Sequence, residues 1–258
     1  MKKSLTAVIL LAALVLTLGL AGCGGQESAS SDSKKLIVGT EPTFPPFEYQ
    51  DENTKEIVGF DIDLIKAIAE EAGYEVEIQS LGFDGLIGAL KSGNIDVIMS
   101  GMSITPEREE EVDFGTPYFD AGLMLAVPTD NTTINSFDDL QGKTVAVQIG
   151  TTGATKAEEL KQAGIVKEVK TFDTMDAVFL ELLNGTVDAV INDKPVNEVF
   201  MAKNPGKIKM VGDIVDGEQY GFAVASGQTE LLQKLNEGLE KVKASGKYDE
   251  IKAKYFGN

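Results

Sequence analysis

Phe83-Asp84-Gly85-Leu86-Ile87-Gly88-Ala89-Leu90-Lys91-Ser92-Gly93-Asn94-Ile95-Asp96-Val97-Ile98 returns in the second half of the chain as Met175-Asp176-Ala177-Val178-Phe179-Leu180-Glu181-Leu182-Leu183-Asn184-Gly185-Thr186-Val187-Asp188-Ala189-Val190. Asp84 and Asp176, Leu90 and Leu182, Gly93 and Gly185, and Asp96 and Asp188 fall in register. Any helix–turn–strand unit needs a cap, an apolar anchor and a glycine stop. The surroundings of the two copies also match, however. Around the first, strands are predicted at 35–40, 74–78 and 95–99, and helices at 61–72 and 84–91. Around the second, strands are predicted at 144–147, 166–170 and 187–191, and helices at 153–163 and 175–183. Two βαβαβ series imply two mostly parallel sheets flanked by helices, and so two lobes of like α/β architecture. A strand at 220–225 and helices at 230–244 and 248–255 are expected to return to the first lobe. Lobe 1 is then 35–120 plus 220–258, and lobe 2 is 121–219.

The amino terminus bears on the compartment. Lys2 and Lys3 precede an uncharged apolar run from Leu5 to Leu20, which closes on Ala21-Gly22-Cys23. The pattern predicts a secretory signal over 1–22, with the chain's one cysteine acylated as the mature first residue. The apolar run is shorter than the roughly 20 residues a spanning helix needs. Small polar residues over 23–34 read as a tether. The expected location is therefore extracytoplasmic, on the outer face of the cell membrane, held by lipidated Cys23. With that cysteine at the anchor, no internal disulfide is available.

A net charge of −18 argues against nucleic acid or an anionic membrane surface as partner. The chain has no histidine, which removes the commonest acid–base catalyst and metal ligand. No cofactor, metal or catalytic residue is expected, and the protein is expected to act as a monomer.

Open parallel sheets bind ligands beyond the carboxyl ends of their strands. Four segments occupy those places: Glu41 to Tyr49, where prolines interrupt aromatics; Ser100 to Arg108; Gln148 to Gly153; and Asn192 to Pro195. Each has an ordinary structural explanation. Arg108 could pair with Glu107, Glu109, Glu110 or Glu111 on the surface. Thr105 before Pro106 reads as a helix cap and first helical residue. Gly150-Thr151-Thr152-Gly153 could be plain helix punctuation, Asp193 a simple N-cap, and Phe44 and Phe83 core residues, as Phe47 and Phe60 are expected to be.

Three runs, Val38 to Phe47, Val58 to Leu64 and Ser100 to Arg108, resemble in order the polar amino-acid family of bacterial extracellular solute-binding proteins, family 3. The likeness extends over residues 35–257 and ends in Lys254-Tyr255-Phe256-Gly257. It implies a periplasmic-binding-protein-like two-lobed fold of type II, with two parallel or mixed sheets flanked by helices and a two-strand hinge. That hinge is expected near Phe119–Leu123 and Glu218–Phe222. The resemblance also implies closure on a free amino acid and delivery to the permease of an ABC importer.

By the same resemblance Arg108 and Ser103 would hold the ligand α-carboxylate, a guanidinium being a planar match for it. Thr152 at a helix start would meet it from the other lobe. Asp193 would take the α-ammonium, with Ser100 and Gly101 accepting from it through backbone oxygen. Phe44 and Phe83 would flank the ligand side chain, with Glu41 and Gln148 at its far end. A carboxylate beside an uncharged amide suits arginine or lysine, with glutamine as the alternative. A few proteins of this fold are dehydratases of cyclic acids. With Arg108 and Asp193 in place and histidine missing, an enzyme is not expected here.

Overall fold

The computed structural model describes residues 34–257. The expected signal, Cys23 and nearly all of the tether lie outside the described residues. Lys34, expected as the tether's last residue, already belongs to the first strand.

The first half of the chain forms β1 (Lys34–Thr40), β2 (Thr43–Phe44), β3 (Glu48–Gln50), β4 (Ile57–Val58), α1 (Phe60–Ala72), β5 (Tyr74–Ser80), α2 (Leu86–Lys91), β6 (Val97–Ile98), α3 (Pro106–Glu109) and β7 (Val112–Phe114). Then come β8 (Phe119–Pro128), β9 (Thr144–Gln148), α4 (Thr152–Gln162), β10 (Glu168–Phe172), α5 (Met175–Leu183), β11 (Ala189–Asp193), α6 (Lys194–Lys203), β12 (Ile208–Tyr220), β13 (Ala223–Ala225), α7 (Thr229–Ala244) and α8 (Lys247–Phe256).

Two five-stranded sheets result, ordered β5-β1-β6-β13-β7 and β10-β9-β11-β8-β12. The triplets β5-β1-β6 and β10-β9-β11 are both parallel and carry the two copies of the repeat. The shared aspartates explain why the copies stay alike. Asp96 accepts a 2.8 Å hydrogen bond from the Ile37 amide on β1, and Asp188 accepts a 2.8 Å bond from the Thr144 amide on β9. In each case the aspartate's own amide donates back to that residue's carbonyl at 2.8 Å. Gly93 and Gly185 precede them at φ 74° and 70°, left-handed turns that favour glycine.

Both sheets are mixed, within the expected parallel-or-mixed pattern. β8 lies between β11 and β12 in the second sheet, antiparallel to both and with Phe119 opposite Tyr220, and β13 lies antiparallel between β6 and β7 in the first. The two segments expected to cross between lobes are thus the near ends of two long, hydrogen-bonded strands. The single strand expected over 220–225 breaks at Gly221 and Phe222, where the chain passes from the second sheet to the first. The proline–aromatic segment folds as a small sheet, β2-β3-β4. Strands expected at 166–170 and 187–191 begin about two residues later. Val187 and Asp188 serve as the turn and clamp rather than as ladder.

Phe47 and Phe60 are fully buried, as expected. Phe47 packs against Phe119 at 4.8 Å, Tyr220 at 5.1 Å and Phe256 at 5.3 Å between ring centroids. An aromatic cluster therefore seats the crossing strands beside the carboxyl ends of β1 and β6.

Candidate functional site

A small, nearly filled cavity lies between the two sheets. Its walls contain Glu41, Phe44, Phe83, Gly101, Ser103, Arg108, Gln148, Thr151, Thr152 and Asp193. These residues come from the ends of β1, β5, β6, β9 and β11 and the segments that follow them. Of the residues expected at the site, only Ser100 is set back. Its hydroxyl receives the Glu41 amide at 2.9 Å and donates to the Glu48 carboxylate at 3.0 Å, so it braces the wall.

Arg108 sits within α3, where Thr105 accepts from its amide at 3.3 Å and Pro106 starts the helix, as expected. The four neighbouring glutamates do not capture it. Its guanidinium instead turns inward over the Phe83 ring, 5.4 Å from the centroid. It donates to the Ser103 carbonyl at 2.7 Å and, from the opposite lobe, to the Gly150 carbonyl at 3.0 Å. Those two acceptors fix the plane of the guanidinium and leave further N–H donors to meet a carboxylate.

Asp193 stands at the N-cap position of α6, but its side chain makes no capping bond. It is 6% exposed, and its Oδ1 has no hydrogen-bond partner. The Tyr220 hydroxyl and Arg108 lie near enough to stabilise its charge without completing a bond to Oδ1. Burial, and then the charge of Glu218, push its pKa up to about 8. A buried carboxylate left unpaired is costly, and a cationic group at this oxygen would favour the ionised form.

At the far end, Glu41 is 4% exposed. Burial raises its pKa, against hydrogen bonds from Gln148 and Thr43. Gln148 Nε2 donates to Glu41 Oε2 at 3.0 Å and to the Asp173 carbonyl at 3.0 Å. With both N–H directions engaged by acceptors, Gln148 can offer only its amide oxygen to a ligand.

Gly101 shows why sequence dictates this wall. At φ +49°, a Cβ there would come within 2.8 Å of the Phe44 ring, so only glycine lets the backbone lie against that aromatic. Its amide donates to Asp61 at 2.8 Å, and Tyr118 donates to the same oxygen at 2.6 Å. Asp61 and Glu48 are both fully buried here; burial raises Asp61 to about 6 and, together with the charge of Asp61, lifts Glu48 well above the usual carboxylate range. Sequence reading missed Glu48, Asp61, Thr43 and Glu218. Thr43 steers Glu41 through bonds of 2.8 and 2.9 Å and receives the Met175 amide from the other lobe at 3.0 Å. An aspartate set among apolar residues at a helix start, as in Phe60-Asp61-Ile62, was the available signal.

The profile of the bacterial extracellular solute-binding proteins, family 3, matches residues 36–258. The chain belongs to this family. Among family members, it is 38% identical over 259 aligned residues to the arginine-binding extracellular protein ArtP of Bacillus subtilis (strain 168), covering 99% of this chain and 98% of that protein. An ancestral arginine-binding protein solved with arginine is 48% identical, with a TM-score of 0.83 over 86% of this chain and 98% of that one. An ancestral arginine-binding protein solved with glutamine is also 48% identical to this chain, with a TM-score of 0.82 over 87% of this chain and 98% of that one. The two-lobed fold and the extracellular solute-binding family thus agree.

Proposed function

We propose that this protein captures a free amino acid, preferentially a basic one, between its lobes and presents it to the permease of an ABC importer. One observation carries the reading. Arg108 and Asp193 face the same small cavity and feel each other's charge, yet form no ion pair within 4 Å, and Asp193 keeps an unpartnered oxygen. A zwitterion between them would meet the guanidinium with its carboxylate and Asp193 with its ammonium. Ser103 and Thr152 would add hydroxyls to the carboxylate grip. The Gly101 carbonyl would supplement Asp193, and Phe44 and Phe83 would enclose the side chain. Cys23 would carry the lipid that keeps the receptor beside its permease.

Two features favour a cation at the far end. Glu41 and the Gln148 oxygen both accept hydrogen bonds, which suits a group that only donates, such as a guanidinium or ammonium. Buried Glu41 also has an uncharged amide rather than a cation beside it, and a positively charged ligand side chain would supply that cation where glutamine would not. Glutamine is the second reading, favoured by the arginine-binding relative solved with it.

A thermal-shift screen of the standard amino acids, followed by calorimetry on wild type and Glu41→Gln, tests both levels. Wild type should bind arginine or lysine, and Glu41→Gln should weaken arginine far more than glutamine. Equal losses for the two ligands overturn the preference for a cation. No shift with any amino acid overturns the receptor reading itself.

A further inference from the structure

Glu218 lies on β12 opposite Ala121 of β8, close to the expected hinge, where a side chain would ordinarily be assigned to scaffolding. Its carboxylate instead accepts from the Ser103 hydroxyl. The Thr152 hydroxyl and the Arg108 guanidinium further stabilise its charge. Ser103, Thr152 and Arg108 are the three side chains that the proposed function assigns to the ligand α-carboxylate. Arg108 and Thr152 line both the inner cavity and an adjoining open groove, and Glu218 reaches them from the groove side.

We propose that Glu218 is an internal competitor for the α-carboxylate grip, engaging it when no ligand is bound and yielding it when an amino acid enters. The proposal rests on the amino-acid reading above. Two carboxylates converging on one guanidinium and one pair of hydroxyls repel each other, so the ligand must dislodge Glu218 or force a proton onto it. The groove gives the displaced side chain a destination. It is lined by Lys156, whose ammonium pairs with Asp216 at 2.8 Å. The competitor thereby sets affinity: it keeps the empty grip satisfied and weakens binding to a level that permits release.

The test compares wild type with Glu218→Gln by calorimetry, using arginine, lysine and glutamine at pH 8 and pH 5. Glutamine at 218 keeps the shape and removes the charge. At pH 8 the variant should bind the preferred amino acid on the order of ten-fold more tightly than wild type. The advantage should shrink at pH 5. Burial raises the Glu218 pKa, and as pH falls protonation removes the competitor from wild type as well. The charged and titratable groups facing it are Arg108, Asp193, Asp216 and Tyr220. All are present in both proteins, but the charge of Glu218 also raises Asp193. The same ratio is therefore measured in an Asp193→Asn background, where a gain that persists is due to competition for the grip and a gain that vanishes overturns it. Unchanged or weaker binding by a folded variant at pH 8, or a ratio that does not vary with pH, overturns the competitor role alone. If Glu218→Gln does not fold, Glu218→Ala is read in the same way. Wild type that binds none of the three ligands, nor any other standard amino acid, overturns the amino-acid reading on which the proposal stands.

Discussion

Asp193 illustrates how one residue can fill a structural position while its side chain is reserved for something else. By sequence alone it could be an ordinary N-cap two residues before Pro195. The position is indeed the N-cap, but Oδ1 turns away from the helix amides and remains unpartnered in the cavity wall. No propensity rule distinguishes those outcomes, because the backbone is the same in both. Arg108 raises the same question with the opposite kind of answer, since its local glutamates are passed over for carbonyls from two lobes. With Asp193 raised to about 8, the ligand-free carboxyl is mostly protonated at pH 7, and an arriving ammonium favours its ionised form. Amino-acid binding at pH 7 should therefore release a proton from this group, read as a dependence of the binding enthalpy on the buffer's ionisation heat. Asp193→Asn should abolish that release and weaken binding by about 2–5 kcal/mol.

At the level of elements, the parallel strands and their helices were legible because each carries its own period, stop and cap. The repeat was legible because the same clamp is needed twice: Asp96 ties β6 to β1, and Asp188 ties β11 to β9. Of the antiparallel strands, local pattern showed only the one at 220–225, and the resemblance alone pointed to the crossing ends of β8 and β12. β8 follows no helix, and β12 bears exposed Asp213, Asp216 and Gly217, so its membership depends on pairing with β8 far away in the chain. Glu218 was missed for that reason, as its neighbours in space are set by that pairing. Asp188→Ala should leave the Thr144 amide without its side-chain acceptor and lower unfolding stability by about 1–3 kcal/mol. Urea denaturation checks this, and Asp96→Ala should behave alike if the two clamps are equivalent.

At the scale of the whole molecule, five carboxyl groups, Glu41, Glu48, Asp61, Asp193 and Glu218, are raised primarily by burial. A carboxyl with a raised folded pKa holds its proton after the unfolded chain has released it. Folding stability therefore falls as pH rises from about 4, the unfolded value, through the folded values of about 6 for Asp61 and about 8 for Asp193. The ligand-free protein should melt at a higher temperature at pH 5 than at pH 8. Saturating ligand should narrow the difference by giving Asp193 a counter-ion, and calorimetric melts across that range check both statements.

Beyond the crossing strands and the Ser103–Glu218 contact, hydrogen bonds from Arg108 to Gly150, from Gln148 to Glu41 and from the Met175 amide to Thr43 join the loops on the two sides of the cavity. At about 1 kcal/mol net apiece, they act as latches that favour a shut vessel even with no cargo aboard. In the proposed receptor a solute would board only while those latches are parted, and the fraction of time spent open would scale its apparent affinity.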